Sequence, residues 1–165
     1  MQKQVNEMVL TNLCVEEMCE MIRSGQKKEG KIKEMLVNLG RENRWPEVWK
    51  ISHALGVEIS WIEDAKNEVW VDIGTAGEVM LNPPIGALLP FRLWVHTHPW
   101  NAYWSLTDRD TLAAYCGLIQ EALVLGHDHS KHTECKLPFG EKIENGINPL
   151  STWTEEPCIP YEVEE

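Results

Sequence analysis

Positive charge is scarce in this chain. Lysine and arginine together number 15 against 26 aspartates and glutamates, which leaves a formal net charge of −11. A nucleic-acid partner calls for a basic face, so no nucleic-acid role is expected, and an anionic membrane surface is disfavoured on the same ground. Long apolar runs are also missing: none approaches the ~20 residues of a membrane-spanning helix. There is no Gly-rich phosphate loop. The opening residues, Met1-Gln2-Lys3-Gln4-Val5-Asn6-Glu7, carry no signal-peptide pattern. The five cysteines, Cys14, Cys19, Cys116, Cys135 and Cys158, are odd in number and form no CxxC pair. That argues for reduced thiols rather than a disulfide framework. Together these absences lead us to expect a cytoplasmic protein with reduced thiols and no membrane partner.

What is present fits one globular domain. The chain has 165 residues, of which 43% are hydrophobic, enough for a single core and too few for two ordinary domains. Residues 1–44 read as a helical extension, with helical candidates at 15–22 and 31–39. In the second, Ile32, Met35, Leu36 and Leu39 share one face, and Gly40 suits a C-terminal stop. An amphipathic pair of this kind ordinarily packs on its own domain. Residues 45–137 carry the main domain. Trp45-Pro46 opens a helix whose stripe is Val48, Ile51, Ala54 and Leu55, and Gly56 ends it. Residues 57–62 read as a strand, with Glu58 and Ser60 facing away from Ile59 and Trp61. Asp64-Ala65-Lys66-Asn67 is turn chemistry, and 68–73 is the return strand. A short strand is expected at 78–81 and a loop at Asn82-Pro83-Pro84. A strand at 93–97 follows, then a helix at 108–118 with Leu112, Tyr115 and Leu118 or Ile119 turned inward. The apolar run Ala122-Leu123-Val124-Leu125 reads as a buried strand, with 131–137 as its partner. Residues 138–165 are expected to be a loosely held, acidic, loop-rich tail. This order of elements predicts an α/β fold, a mixed sheet flanked by helices.

Chemistry concentrates in one stretch, His96-Thr97-His98-Pro99-Trp100-Asn101-Ala102-Tyr103-Trp104-Ser105-Leu106-Thr107-Asp108. Side chains alternate along a strand, so His96 and His98 point the same way. A carboxylate at the start of the next helix, Asp108, can complete three protein ligands and leave a fourth position open, the arrangement of a catalytic zinc. Zinc lowers the pKa of a bound water to about 7. Hydrolysis at such a site also needs a base and an oxyanion donor. Ser105 is placed to be the donor; the base must come from elsewhere in the chain. Each piece has a plainer reading. His-x-His is common, and Ser105-Leu106-Thr107-Asp108 is also the spacing of a helix-capping box. Thr107 is a second candidate cap, and Asp110 a second carboxylate. Strand, His-x-His-Pro, Ser-x-x-Asp and helix together form a pattern that chance seldom produces.

That pattern resembles the signature of the JAMM, or MPN-plus (Mov34, JAB-type), metalloproteases, and in particular their prokaryotic and phage members. The likeness covers about residues 46–126. It implies a curved mixed sheet flanked by helices, related to the cytidine-deaminase sandwich. It also implies one zinc ion on His96, His98 and Asp108, with Ser105 steadying the tetrahedral intermediate. The family's upstream general acid/base glutamate matches Glu58, in Glu58-Ile59-Ser60-Trp61-Ile62; by position alone Glu47, Glu63 and Glu68 are rivals. The implied activity is hydrolysis of a peptide or isopeptide bond in a protein or peptide substrate, with ubiquitin-like conjugates as one class. The alternatives are a non-catalytic MPN-like binding scaffold and a zinc hydrolase of a small-molecule amide. Two departures stand out. The spacer from Pro99 to Trp104 is one residue shorter than is usual in the family, and Glu63 stands where a glycine is common.

Outside the motif, His127, His129 and His132 form a second cluster, read either as a polar turn or as a further metal site. Trp100, Tyr103 and Trp104 are candidates to shape a groove for a peptide, or to pack as a lid. Cys116 reads as core rather than nucleophile.

Overall fold

The computed structural model describes residues 13–74, 81, 84–141 and 149–163. In chain order the elements are α1 (Val15–Arg23), α2 (Glu29–Arg41), α3 (Trp45–Leu55), β1 (Ile59–Glu63), β2 (Val69–Ile73), β3 (Phe91–Thr97), α4 (Leu106–Ala114), β4 (Ile119–Leu125), β5 (His129–Glu134), a 3₁₀ turn (Pro149–Thr152) and β6 (Ile159–Pro160). The strands form one open sheet in the order β2-β1-β3-β4-β5-β6. Only β3 and β4 run parallel, joined by the α4 crossover; the other neighbours are antiparallel. The expected α/β class with a mixed sheet is what the chain adopts. The strand expected at 78–81 and the loop at 82–84 fall largely outside the described residues. Among those described, no helix is long and apolar enough to cross a membrane.

Each face of the sheet has its own core. On one side α1, α2 and α3 bring Met18, Ile22, Ile32, Leu36 and Ile51 against Ile59, Trp61, Val95 and Leu125. The helical candidates at 15–22 and 31–39 are therefore part of the domain core. On the other side Ile62, Phe91, Trp94, Ala122 and Trp153 pack with Leu112 of α4. Burying one large apolar side chain contributes roughly 1.5–3 kcal/mol, so both faces are strongly held.

Local chemistry sets the boundaries. Gly56 takes a left-handed φ of 69° and ends α3 as expected. Gly40 does not end α2, which runs on to Arg41. A Cβ at Gly40 would lie 2.4 Å from the Trp61 indole, so glycine there permits close packing. The stop is Asn43, at φ 57°. The helix expected at 108–118 spans Leu106–Ala114 instead, because Ser105 caps it earlier and Gly117, at φ 79°, breaks the chain before β4.

The expected loose tail is corrected over its described part. Trp153 is buried and its Nε1–H donates to Leu112 O at 3.1 Å. Thr154 N–H donates to Glu134 O, and β6 pairs with β5. Tyr161 Oη–H donates to Gly126 O at 2.9 Å. The segment straps the outer edge of β5 and hides a row of backbone groups that an edge strand would otherwise expose.

Candidate metal centre

The centre lies at the C-terminal end of β3. Sheet register pairs Ser60 with His96, and Ile62 with Trp94, on the α4 face. The His96 ring stacks on Trp94 at 4.5 Å, and Trp94 Nε1–H donates to Ser60 Oγ at 3.1 Å. His98 follows one place beyond the strand, held by its N–H to Leu125 O and by Trp49 Nε1–H donating to its carbonyl at 2.8 Å. Between the histidines, Thr97 points the other way, into the α3 side. Its Oγ1 lies 2.6 Å from Ser52 Oγ and accepts the Ile59 N–H at 3.0 Å. Ser52 Oγ–H also donates to Val57 O at 2.7 Å. The middle residue of the His-x-His thus fastens both α3 and the segment bearing Glu58 to the ligand strand. Sequence reading missed Thr97 and Ser52. The available signal was a hydroxyl residue on the apolar side of a buried strand.

Asp108 comes from α4. Ser105 is the N-cap: its Oγ accepts the Asp108 N–H at 3.2 Å while its own N–H donates to Asp108 Oδ2 at 2.8 Å. The capping box and the ligand arrangement are therefore one object, because the box that starts the helix also aims the carboxylate. Asp108 Oδ1 lies 2.9 Å from His96 Nε2, and Oδ2 lies 3.2 Å from His98 Nε2. All three side chains are buried, and their ligand atoms fall within 4.8 Å of one another. Asp110 is exposed and stands outside this group.

The donor set can hold a metal ion. Neither ring nitrogen of buried His96 has an aligned hydrogen-bond partner, although Nε2 is close to Asp108. A short but misaligned contact between an imidazole lone pair and a carboxylate is what results when both aim at a common point. Burial pushes the His96 pKa below its ordinary value, and Asp108 offsets this only in part, so the ring is neutral and able to ligate. Burial pushes the Asp108 carboxyl upward, but His96, His98 and Ser105 outweigh it and hold the carboxyl well below the usual range. A buried carboxylate beside the neutral His96 ring gains from a compensating charge, which a cation supplies.

Glu58 sits just before β1 and is buried at 8% exposure. Continuing the β1–β3 register by one pleat sets it opposite His98. Glu58, His98, Pro99 and Val57 line a cleft of about 100 Å³ beside Trp49 and His53. The rivals lie elsewhere: Glu47 is paired with Arg44 at 2.6 Å, and Glu63 and Glu68 flank the far hairpin turn. Ser105 is half-buried at the start of α4, near Asp108. Trp100 and Tyr103 are exposed, Tyr103 edge-on to His98 at 4.7 Å, while Trp104 is half-buried 6.0 Å from His96.

The second histidine cluster is dispersed. His127 packs edge-on to Trp49. His129 Nδ1 is 2.6 Å from Asp128, and its Nε2 accepts the Ala102 N–H at 3.0 Å. His132 lies between Glu156 and Glu121, at 2.7 and 3.0 Å. These rings serve different partners and share no common point. Comparison with family models, with curated proteins and with solved structures gives no match to this chain.

Proposed function

We propose that the chain is a zinc-dependent metallopeptidase of the JAMM type, with its α/β sheet the curved MPN/JAB form. It hydrolyses a peptide or isopeptide bond in a protein or peptide substrate, ubiquitin-like conjugates being one class, in a cytoplasmic setting. The observation that supports this reading is the convergence of buried His96, His98 and Asp108 on one point, with Glu58 one pleat along, opposite His98. Two imidazoles and a carboxylate are a zinc donor set with an open position, where the ion would supply Lewis acidity and an acidified water. Glu58 is the general base. It takes a proton from the attacking water and returns it to the leaving amine. The Ser105 hydroxyl accepts from the Asp108 amide, so its own hydrogen is left to donate to the oxygen that gains charge. Exposed Trp100 and Tyr103 offer apolar area for an extended peptide at the mouth of the site.

Metal analysis and turnover test the reading together. Purified protein is expected to hold one zinc per chain and to cleave a panel of peptides and ubiquitin-like conjugates. Glu58→Gln is expected to keep the zinc and lose turnover by about 10²–10⁴-fold. A wild-type chain that binds no zinc overturns the assignment. Zinc binding without cleavage favours the non-catalytic scaffold.

A further inference from the structure

Cys116 and Cys135 stand where four pieces of chain meet, at the opposite end of α4 from Asp108. Cys116 lies in the turn leaving α4, and Cys135 follows β5, its N–H donating to Gln120 O at 2.8 Å and its backbone bridged to Trp153. The two Sγ atoms are 3.6 Å apart, and Cys116 Sγ is 2.8 Å from Thr152 Oγ1. Both residues are half-buried, shielded yet open to a small reagent. We propose that this pair is a redox modification site: a reversible disulfide, formed by exchange with a low-molecular-weight disulfide, that clamps the exit of α4 to the end of β5.

The S–S bond is about 2.05 Å long, so the sulfurs need to close by roughly 1.5 Å, within reach of side-chain rotation. Burial raises the Cys116 thiol pKa against the opposing Thr152 contact, which disfavours its thiolate, and the exchange begins at Cys135. Its thiolate, having lost a proton to solvent, attacks one sulfur of the small disulfide and expels one small thiol. Cys116 then gives up its proton and attacks the Cys135 sulfur of the mixed disulfide, forming the protein S–S bond and expelling the second small thiol. The two electrons leave with those thiols. The cross-link closes a span of 19 residues running from the end of α4 through β4 and β5. It therefore constrains the crossover helix that carries Asp108. In a reducing cytoplasm the pair stays a dithiol, and it closes when the small-disulfide pool rises.

The full chain is incubated in glutathione buffers of graded oxidised-to-reduced ratio, quenched with an alkylating reagent, and read by mass spectrometry and thermal melting. The expected product has lost two hydrogens, yields a digest peptide linking Cys116 to Cys135, reverts with dithiothreitol and melts several degrees higher. Cys116→Ser and Cys135→Ser each abolish it, and a Cys14→Ser/Cys158→Ser double variant leaves it unchanged. The proposal is overturned if both thiols remain alkylatable at every ratio, if the link joins other cysteines, or if the cross-linked form melts no higher than the dithiol.

Discussion

Thr97 shows how much a single hydroxyl can arrange. It lies between two candidate ligands yet serves neither directly; its oxygen joins Ser52 and the Ile59 amide on the opposite face of the sheet. Thr97→Val keeps shape and strand propensity but orphans the buried Ile59 N–H, a cost of roughly 1–3 kcal/mol. Urea denaturation is expected to show that loss, and Thr97→Ser to recover most of it. Zinc content should hold, because His96 and His98 keep their own anchors, while kcat falls because the Glu58 segment loosens. Ser105 divides differently, since one residue both caps α4 and faces the site. Ser105→Ala is expected to cost about 1 kcal/mol through the lost cap, whereas Ser105→Gly costs only a few tenths. Both remove the hydroxyl, so both should lower kcat by roughly 10²-fold if the oxyanion role holds. A turnover loss that tracked stability across the two variants would make Ser105 a cap and nothing more.

At the scale of elements, the 100–104 loop joins the ligand strand to the ligand helix, and its seat is the backbone of Gly126. A Cβ there would fall 2.7 Å from Ala102 N and from Trp100 O. Backbone cannot swing aside as a side chain can, so Gly126→Ala must push the loop outward. Overpacking of this kind costs about 1–3 kcal/mol. The variant is expected to melt lower and to bind zinc more weakly in a competition titration with a chromogenic chelator; unchanged affinity would show that the loop does not set the ligand geometry. What was legible beforehand follows the same division between local and distant. His96, His98, Ser105 and Asp108 lie within one short stretch, where spacing alone places them on a strand end and a helix start. The facing position of Glu58 depends on β1–β3 register, and the Ser52–Thr97 link spans 45 residues; neither leaves a trace in local periodicity. The C-terminal strap was misread for a related reason. A lone Trp153 and a two-residue strand among prolines and glutamates show no repeat, and only the partner edge of β5 makes them structural.

For the whole molecule, acid and the proposed metal would act on one equilibrium. Both His96 and Asp108 have folded-state pKa values below their ordinary ones, 6.5 and 3.8. The folded, metal-free chain therefore binds fewer protons than the unfolded chain, and the stability this represents is present at neutral pH and lost on acidification. The loss should begin as pH falls below 6.5, where an unfolded His96 starts to take up a proton that the buried ring refuses, and deepen below 3.8 as Asp108 follows. Zinc adds to the same trend because it needs neutral imidazoles and an ionised carboxylate, so protons compete with it directly. At neutral pH, free zinc at 100 times its Kd should stabilise the fold by about 2.7 kcal/mol, and a chelator should remove that increment. Melting curves from pH 7.5 down to 5, with and without zinc, are expected to slope downward in the metal-free chain and to converge as the pH falls. His96→Gln should flatten the metal-free slope and abolish the zinc increment together. If the slope survived that substitution while the zinc increment vanished, acid sensitivity would reside outside the centre, and the buried imidazole would matter for the metal alone.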